Sequence, residues 1–376
     1  MVINNIKIVT PTKVIENGYI RIRGKKILSV GKGNFTGNDD NIIDGKGKIA
    51  MPGFIDLHIH GSAGYDFMEG SKEDIVKAAN SLYKEGVTTF LATTLTSDPK
   101  SLERACKNIN RAQKEAKNIY GIHLEGPYIS VKYKGAQNEK YIRKPDIDEL
   151  NHLCEVTHNN IRYITMAPEY DNSASFIENC VKHNIVVSAG HTNATFKDVE
   201  EAIKHGLTNT THTHNAMSGH HHRNPGVVTA AMYFDNLFCE MICDGIHVCK
   251  DTIKTFYKIV GKDRFMIITD ALKVKNSDIK EFDMFGLKAH VENGAAYLND
   301  GPLAGSILTM DQGIRNVRDY TGASLVELSL ISSTNQARSL HLNDRGRLAK
   351  GCLADIVLLD ENLYVKDVYK LGNKVI

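Results

Sequence analysis

Eight short apolar segments separated by stretches of helical periodicity constrain this chain more than any other feature of its sequence. They occupy residues 54–60, 87–95, 119–125, 161–167, 185–191, 209–212, 237–244 and 265–270. Compact apolar strands alternating with helices of ten or more residues are the pattern of βα units, and hence of a parallel sheet. Eight is the number that closes such a sheet into a barrel. Ser71 with Asp74 and Thr195 with Asp198 have the spacing of capping boxes, in which a hydroxyl and a carboxylate satisfy unpaired amides at a helix start. Gly86, Gly206 and Gly261 stand where a left-handed residue relieves the last carbonyls of a helix before the next strand.

The two ends read differently. Residues 2–50 alternate apolar and polar positions between glycines, and 354–376 do the same, which predicts short antiparallel strands that pair with one another. The expected fold is therefore α/β: a TIM (β/α)8 barrel over residues 52–340, with a small β-sandwich domain formed by the N- and C-terminal segments, 1–51 and 341–376. A chain of 376 residues has room for one large and one small unit.

Composition narrows the function classes. No apolar run approaches the roughly 18 residues of a membrane helix, and the first ten residues lack the basic-then-apolar pattern of a secreted precursor. Lysine plus arginine (46) nearly balances aspartate plus glutamate (44) with no long basic block, so a small-molecule partner is expected and nucleic acid is not. The seven cysteines, at 106, 154, 180, 239, 243, 249 and 352, form no C-x-x-C pair. They fit buried thiols in a reducing cytoplasm better than a disulfide frame. A bound metal must then rest on histidines and carboxylates.

Such residues sit at the ends of the predicted strands. His58 and His60 are two apart in a strand, so both imidazoles point to one face, at the end of the first barrel strand. Alone, that pair could serve packing or hydrogen bonding as well as a metal. Glu125 closes the third strand, His191 the fifth, His212 the sixth and Asp270 the eighth. All six groups thus fall at carboxyl ends, where barrel enzymes keep their active sites. Neutral imidazoles with carboxylate suit zinc or ferrous iron, one or two ions per subunit, and three protein ligands leave a position open for water. A zinc-held water has a pKa of about 7, which supplies hydroxide at neutral pH. Asp270 is placed to take a proton from it and return the proton to a departing amine.

The motifs resemble those of a known family over nearly the whole chain. Pro52-Gly-Phe-Ile-Asp-Leu-His-Ile-His-Gly61 is similar to the opening of amidohydrolase superfamily sequences. His123-Leu-Glu-Gly-Pro127, Ser188-Ala-Gly-His-Thr-Asn-Ala-Thr195, His214-Asn-Ala-Met217, Asp244-Gly-Ile-His247, Thr269-Asp-Ala271 and Leu303-Ala-Gly-Ser306, taken in order, resemble N-acetylglucosamine-6-phosphate deacetylases. The resemblance implies one divalent ion on Glu125, His191 and His212, and a second beside His58, His60, Glu125 and Asp270. Many superfamily members bridge two metals with a modified lysine on strand four. Here that strand reads Ile161-Arg-Tyr-Ile-Thr-Met-Ala-Pro168, and Glu125 is the substitute bridge.

The resemblance further implies removal of the acetyl group from N-acetyl-D-glucosamine 6-phosphate. His247 would hold the oxyanion with the metal, Asn215 and Ala216 would supply amide donors, and Arg223 would grip the sugar phosphate, reaching over from the partner of a homodimer. Arginine forks match phosphate oxygens in pairs. One departure stands out: the family commonly has Lys-Gly-x-His soon after the third strand, where this chain has Lys134-Gly-Ala-Gln137. Gln137 can donate and accept hydrogen bonds but cannot carry a proton at neutral pH, which leaves sugar contacts and the choice between gluco and galacto epimers open at that point. The rivals are an N-acetylgalactosamine-6-phosphate deacetylase, a superfamily hydrolase acting on another N-acyl or cyclic amide substrate, and a barrel kept only as a scaffold.

Overall fold

The computed structural model describes every residue except 39, 40, 285 and 300. Its centre is a parallel sheet of eight strands: Phe54–Ile59, Val87–Thr94, Ile119–Glu125, Ile161–Met166, Val186–Ala189, Leu207–Thr210, Phe238–Ile242 and Phe265–Ile268. Nearly every residue of these strands is buried, as expected of parallel strands covered on both faces. The eighth strand meets the first through backbone bonds at their carboxyl ends, from Asp270 N to His58 O (2.8 Å) and from His60 N to Ala271 O (2.9 Å). Beside them the buried Asp56 carboxylate accepts from Thr269 Oγ1 at 2.6 Å. The ring is thus sewn shut next to the residues that carry the chemistry.

Alternation along the strands sorts side chains between two cores. Met266 and Ile268 face inward with Leu57, Leu91 and Tyr163, while Phe265 and Ile267 pack outward against the helices. Both predicted capping boxes form. Gly86 and Gly206 take the left-handed conformation expected of helix C-caps. Gly261 departs from the expectation: its φ is 73° but its ψ is 168°, an extended left-sided conformation that turns the chain sharply away from the helix.

The terminal segments build one sheet in the order Asn373–Lys374, Val365–Lys370, Ile356–Leu359, Ile49–Pro52, Val2–Val9, Val14–Arg23, Lys26–Lys32, with Ile42–Asp44 beside Val2–Val9. The two layers expected of a sandwich are parts of this single hydrogen-bonded path. Its far edge returns to the segment before Ile356, with Ile27 N donating to Cys352 O at 2.8 Å. Ile356 and Leu358 face the sheet's own core, whereas Val357 and Leu359 join the barrel core.

A further sheet was not anticipated from the sequence. Glu281–Met284, Leu287–Glu292, Ala295–Leu298 and Leu303–Ser306 form four antiparallel strands after the eighth barrel strand. The signal was present in Asn293-Gly294, both at positive φ (47° and 86°) between alternating strands, which is the preferred composition of a tight hairpin turn. This sheet carries Met284 and Leu303 to the rim of the barrel mouth. Among the described residues no helix is long and apolar enough to cross a membrane.

Candidate active site

The polar groups predicted at the strand ends converge. Glu125 Oε1 lies 3.0 Å from His191 Nε2 and 3.2 Å from His212 Nε2, and those two nitrogens are 3.1 Å apart. On the other side His58 Nε2 is 3.3 Å from Glu125 Oε1, and His60 Nε2 is 3.4 Å from Glu125 Oε2. Asp270 Oδ1 completes the cluster at 3.1 Å from His60 and 3.3 Å from His58. Glu125 is therefore common to two sets of three ligand atoms: Glu125, His191 and His212, and His58, His60 and Glu125.

The expected placement needs one correction. His191, His212 and Asp270 do not end their strands but follow them by two residues, and each has a left-handed backbone, with φ of 46°, 30° and 49°. Residues other than glycine hold that conformation at a cost, and such strain concentrates where function fixes a side chain. Here it turns each side chain back over the barrel mouth. Gly126, after Glu125, has φ 73°, and a Cβ there would stand 2.2 Å from Thr96 Oγ1, so the strand-three turn tolerates only glycine.

The tautomers suit a cation. His191 Nδ1 is 2.9 Å from Tyr133 O and His212 Nδ1 is 3.1 Å from Asn215 O. A carbonyl can only accept, so each Nδ1 carries the proton and each Nε2 lone pair faces Glu125. Four imidazole Nε2 atoms and two carboxylates within contact of one another form a donor set for a divalent ion. In the metal-free chain protons take the cation's place. Burial disfavours a charged His60, but its hydrogen bonds to Asp270 and Glu125 outweigh that and raise its pKa to about 9. Burial likewise opposes an ionised Asp270, yet the charge of His58 and the hydrogen bond from His60 pull its pKa to about 2.

That linkage gives a prediction for chelated protein. His60 is more basic folded than unfolded, so its stabilising charge is complete below about pH 6.5 and lost as pH rises through about 9. The melting temperature of EDTA-treated protein is expected to fall across this window, and a His60→Asn variant to lose that part of the slope. Scanning calorimetry of the two proteins at several pH values checks it; parallel slopes would contradict it.

Around the cluster a cavity of about 340 Å³ opens at the barrel mouth, lined by His60, Glu125, Gln137, His191, His212, Asn215, Ala216, His247 and Asp270. Gln137 is turned onto the ligand carboxylate: its Nε2 donates to Glu125 Oε2 at 2.6 Å and its Oε1 accepts from Thr96 N at 2.8 Å. His247 is held by Asp244, whose Oδ2 is 2.6 Å from His247 Nδ1 and whose Oδ1 accepts the amides of Ile246 and His247. Among the described residues Asn215 Nδ2 has no hydrogen-bond acceptor. Arg223 is not brought to this cavity. It is exposed and lines a neighbouring one of about 590 Å³, which shares Lys132 and Tyr133 with the first. Of the preceding histidines, His221 accepts the amides of Arg223 and Asn224 and so shapes the loop.

Sequence reasoning gave no role to His123, Glu240 or Asp244. His123 sits two residues before Glu125 on the same face and is fixed by Leu57 O and Thr165 Oγ1, both at 2.8 Å. It packs against His58 at 4.6 Å between ring centres. The Leu303–Ser306 motif also finds its purpose: Ser306 N donates to Asp270 O at 3.0 Å and its Oγ to Thr269 O, clamping the strand that carries Asp270.

Comparison with known proteins agrees with this geometry. The Amidohydrolase family pattern matches residues 49–375. The chain belongs to the amidohydrolase family. Within it, the N-acetylglucosamine-6-phosphate deacetylase of Lysinibacillus sphaericus is 36% identical over 375 residues, covering 99% of this chain and 97% of that one. The crystal structure of N-acetylglucosamine-6-phosphate deacetylase from Thermotoga maritima superposes with a TM-score of 0.91 at 36% identity, covering 100% of this chain and 99% of the other. An aspartate-to-alanine variant of the Mycobacterium smegmatis enzyme, in complex with N-acetyl-D-glucosamine-6-phosphate, superposes with a TM-score of 0.95 at 30% identity, covering 100% and 99%. The family is metal-dependent, and Glu125 belongs to both groups of side chains that could hold a metal ion.

Proposed function

We propose that this amide hydrolase converts N-acetyl-D-glucosamine 6-phosphate and water to D-glucosamine 6-phosphate and acetate. The observation that carries the reading is the meeting of Asp270 with four imidazoles and Glu125 on the floor of an open cavity. Deacetylases of the phosphorylated gluco sugar are the relatives that span nearly the full chain at 36% identity, which favours that epimer over the galacto alternative.

Glu125, His191 and His212 would hold one divalent ion, zinc or ferrous iron, and His58, His60, Glu125 and Asp270 a second. Bound there, the cation supplies Lewis acidity and lowers the pKa of water to about 7. Asp270, ionised at neutral pH, takes the proton of the attacking water. It then gives that proton to the amine nitrogen, because an amide nitrogen leaves poorly as an anion. His247 lines the cavity with its Nδ1 held by Asp244, which orients the ring toward the oxygen that gains charge. Asn215 and Ala216 offer polar contacts to the sugar, and Gln137 keeps Glu125 in place at the sugar's edge.

Arg223 would bind the 6-phosphate of the sugar in the partner's cavity of a homodimer, which accounts for its position outside its own chain's cavity. Reversing its charge in Arg223→Glu is expected to raise KM for the phosphorylated sugar by about 10- to 100-fold, the worth of one bidentate charge-assisted contact, with kcat far less affected. An unchanged KM would remove Arg223 from phosphate recognition. The substrate itself is tested by acetate release from four sugars side by side: the gluco and galacto N-acetyl compounds, each with and without phosphate. Equal rates on the phosphorylated and free gluco sugars would overturn the assignment.

A further inference from the structure

The seventh barrel strand carries a carboxylate that the reaction above does not use. Glu240 points into the barrel beneath the imidazoles and is wholly buried. Its Oε2 lies 3.5 Å from His58 Nδ1 and accepts from His212 N at 3.4 Å, and its Oε1 has no hydrogen-bond partner among the described residues. Among the described residues the only ion pair it makes is with His58. Taking an ionised carboxylate out of water costs several kcal/mol unless its charge is paired. The side-chain nitrogen that stands beside Glu240 is His58 Nδ1.

The Nδ1 atoms of His191 and His212 meet backbone carbonyls, whereas among the described residues those of His58 and His60 make no hydrogen bond of ordinary geometry, and only that of His58 has a carboxylate oxygen beside it, at 3.5 Å. His58 alone of the four has its Nδ1 facing a carboxylate, while its Nε2 faces Glu125 and Asp270. A proton on Nδ1, directed at Glu240, leaves the Nε2 lone pair directed at those oxygens. The carboxylate behind the ring makes that nitrogen a stronger donor to a metal. Among the described residues no lysine or arginine is paired with Glu125, Glu240 or Asp270, whose ion-pair partners are the imidazoles that a divalent cation would use as ligands.

We propose that Glu240 is a positioning residue that fixes His58 as a ligand of a second divalent cation, shared with His60, Glu125 and Asp270. This rests on the metal-centre reading above. The test is a zinc titration of metal-stripped protein, with bound metal counted by mass spectrometry and the two dissociation constants obtained by competition with a chromophoric chelator. Wild type is expected to take two ions. Glu240→Gln is expected to keep the first ion's affinity and weaken the second by about 10- to 100-fold. In a His58→Asn background, the same change is expected to have no further effect on the second ion, because its influence passes through that ring. Circular dichroism checks the fold, and Glu240→Met carries the same expectation should the glutamine variant not fold. Two ions bound with unchanged constants in Glu240→Gln, or both ions weakened alike, would overturn the role of Glu240 alone. A wild-type protein that takes only one ion at saturating zinc would overturn the two-ion reading and this proposal with it.

Discussion

Replacing Asp270 by asparagine is expected to lower kcat by about 100- to 10,000-fold while the sugar phosphate still binds, the range by which positioned proton transfer accelerates reactions. Asparagine has the same shape, and the strand-closing bond from the residue 270 amide to His58 O is a backbone contact that survives the change. What disappears is a carboxylate that its His58 and His60 contacts keep ionised, and with it the group that takes and returns the proton. Because Asp270 Oδ1 also touches His58 and His60, the variant's metal content must be measured beside its rate. A protein that holds its metal and binds sugar but turns over near normally would remove Asp270 from the proton transfers.

Glu125→Gln is expected to have the other large effect. This carboxylate touches all four imidazoles, His191, His212 and His58 through Oε1 and His60 through Oε2. It is also the one anion common to both ligand sets. Changes that act on ligands only indirectly weaken metals by about 10- to 100-fold, so loss of the shared anion is expected to exceed that and to reduce acetate release to background. Gln137, which donates to Glu125 Oε2, would then face an amide in place of a carboxylate. Normal metal content and turnover in Glu125→Gln would mean that the cation is held elsewhere.

Most of the barrel was legible because its strands, covered on both faces, read as continuous apolar runs between capped helices. The convergence of the six metal-competent side chains was legible for the same reason: once strands are placed, the residues at and just beyond their ends are placed. Three things were not. The left-handed backbones of His191, His212 and Asp270 fall on ordinary residues, with no glycine to announce them. Glu240 lies inside the run Phe238–Ile242 and looks like a polar interruption until the first strand brings His58 against it. Gln137 was recognisable as a departure from the family, but its partners Thr96 and Glu125 come from two other elements. The antiparallel sheet at the mouth was legible in principle through Asn293-Gly294, which joins two of its strands.

A cation held at the barrel mouth is what makes amide hydrolysis possible, and acetate release as a function of metal per chain tests this most directly. Protein stripped of metal is expected to release no acetate from N-acetyl-D-glucosamine 6-phosphate. Activity should then return in proportion to zinc or ferrous iron added, and level off at one or two equivalents. Undiminished turnover by protein whose metal content is below detection would contradict it.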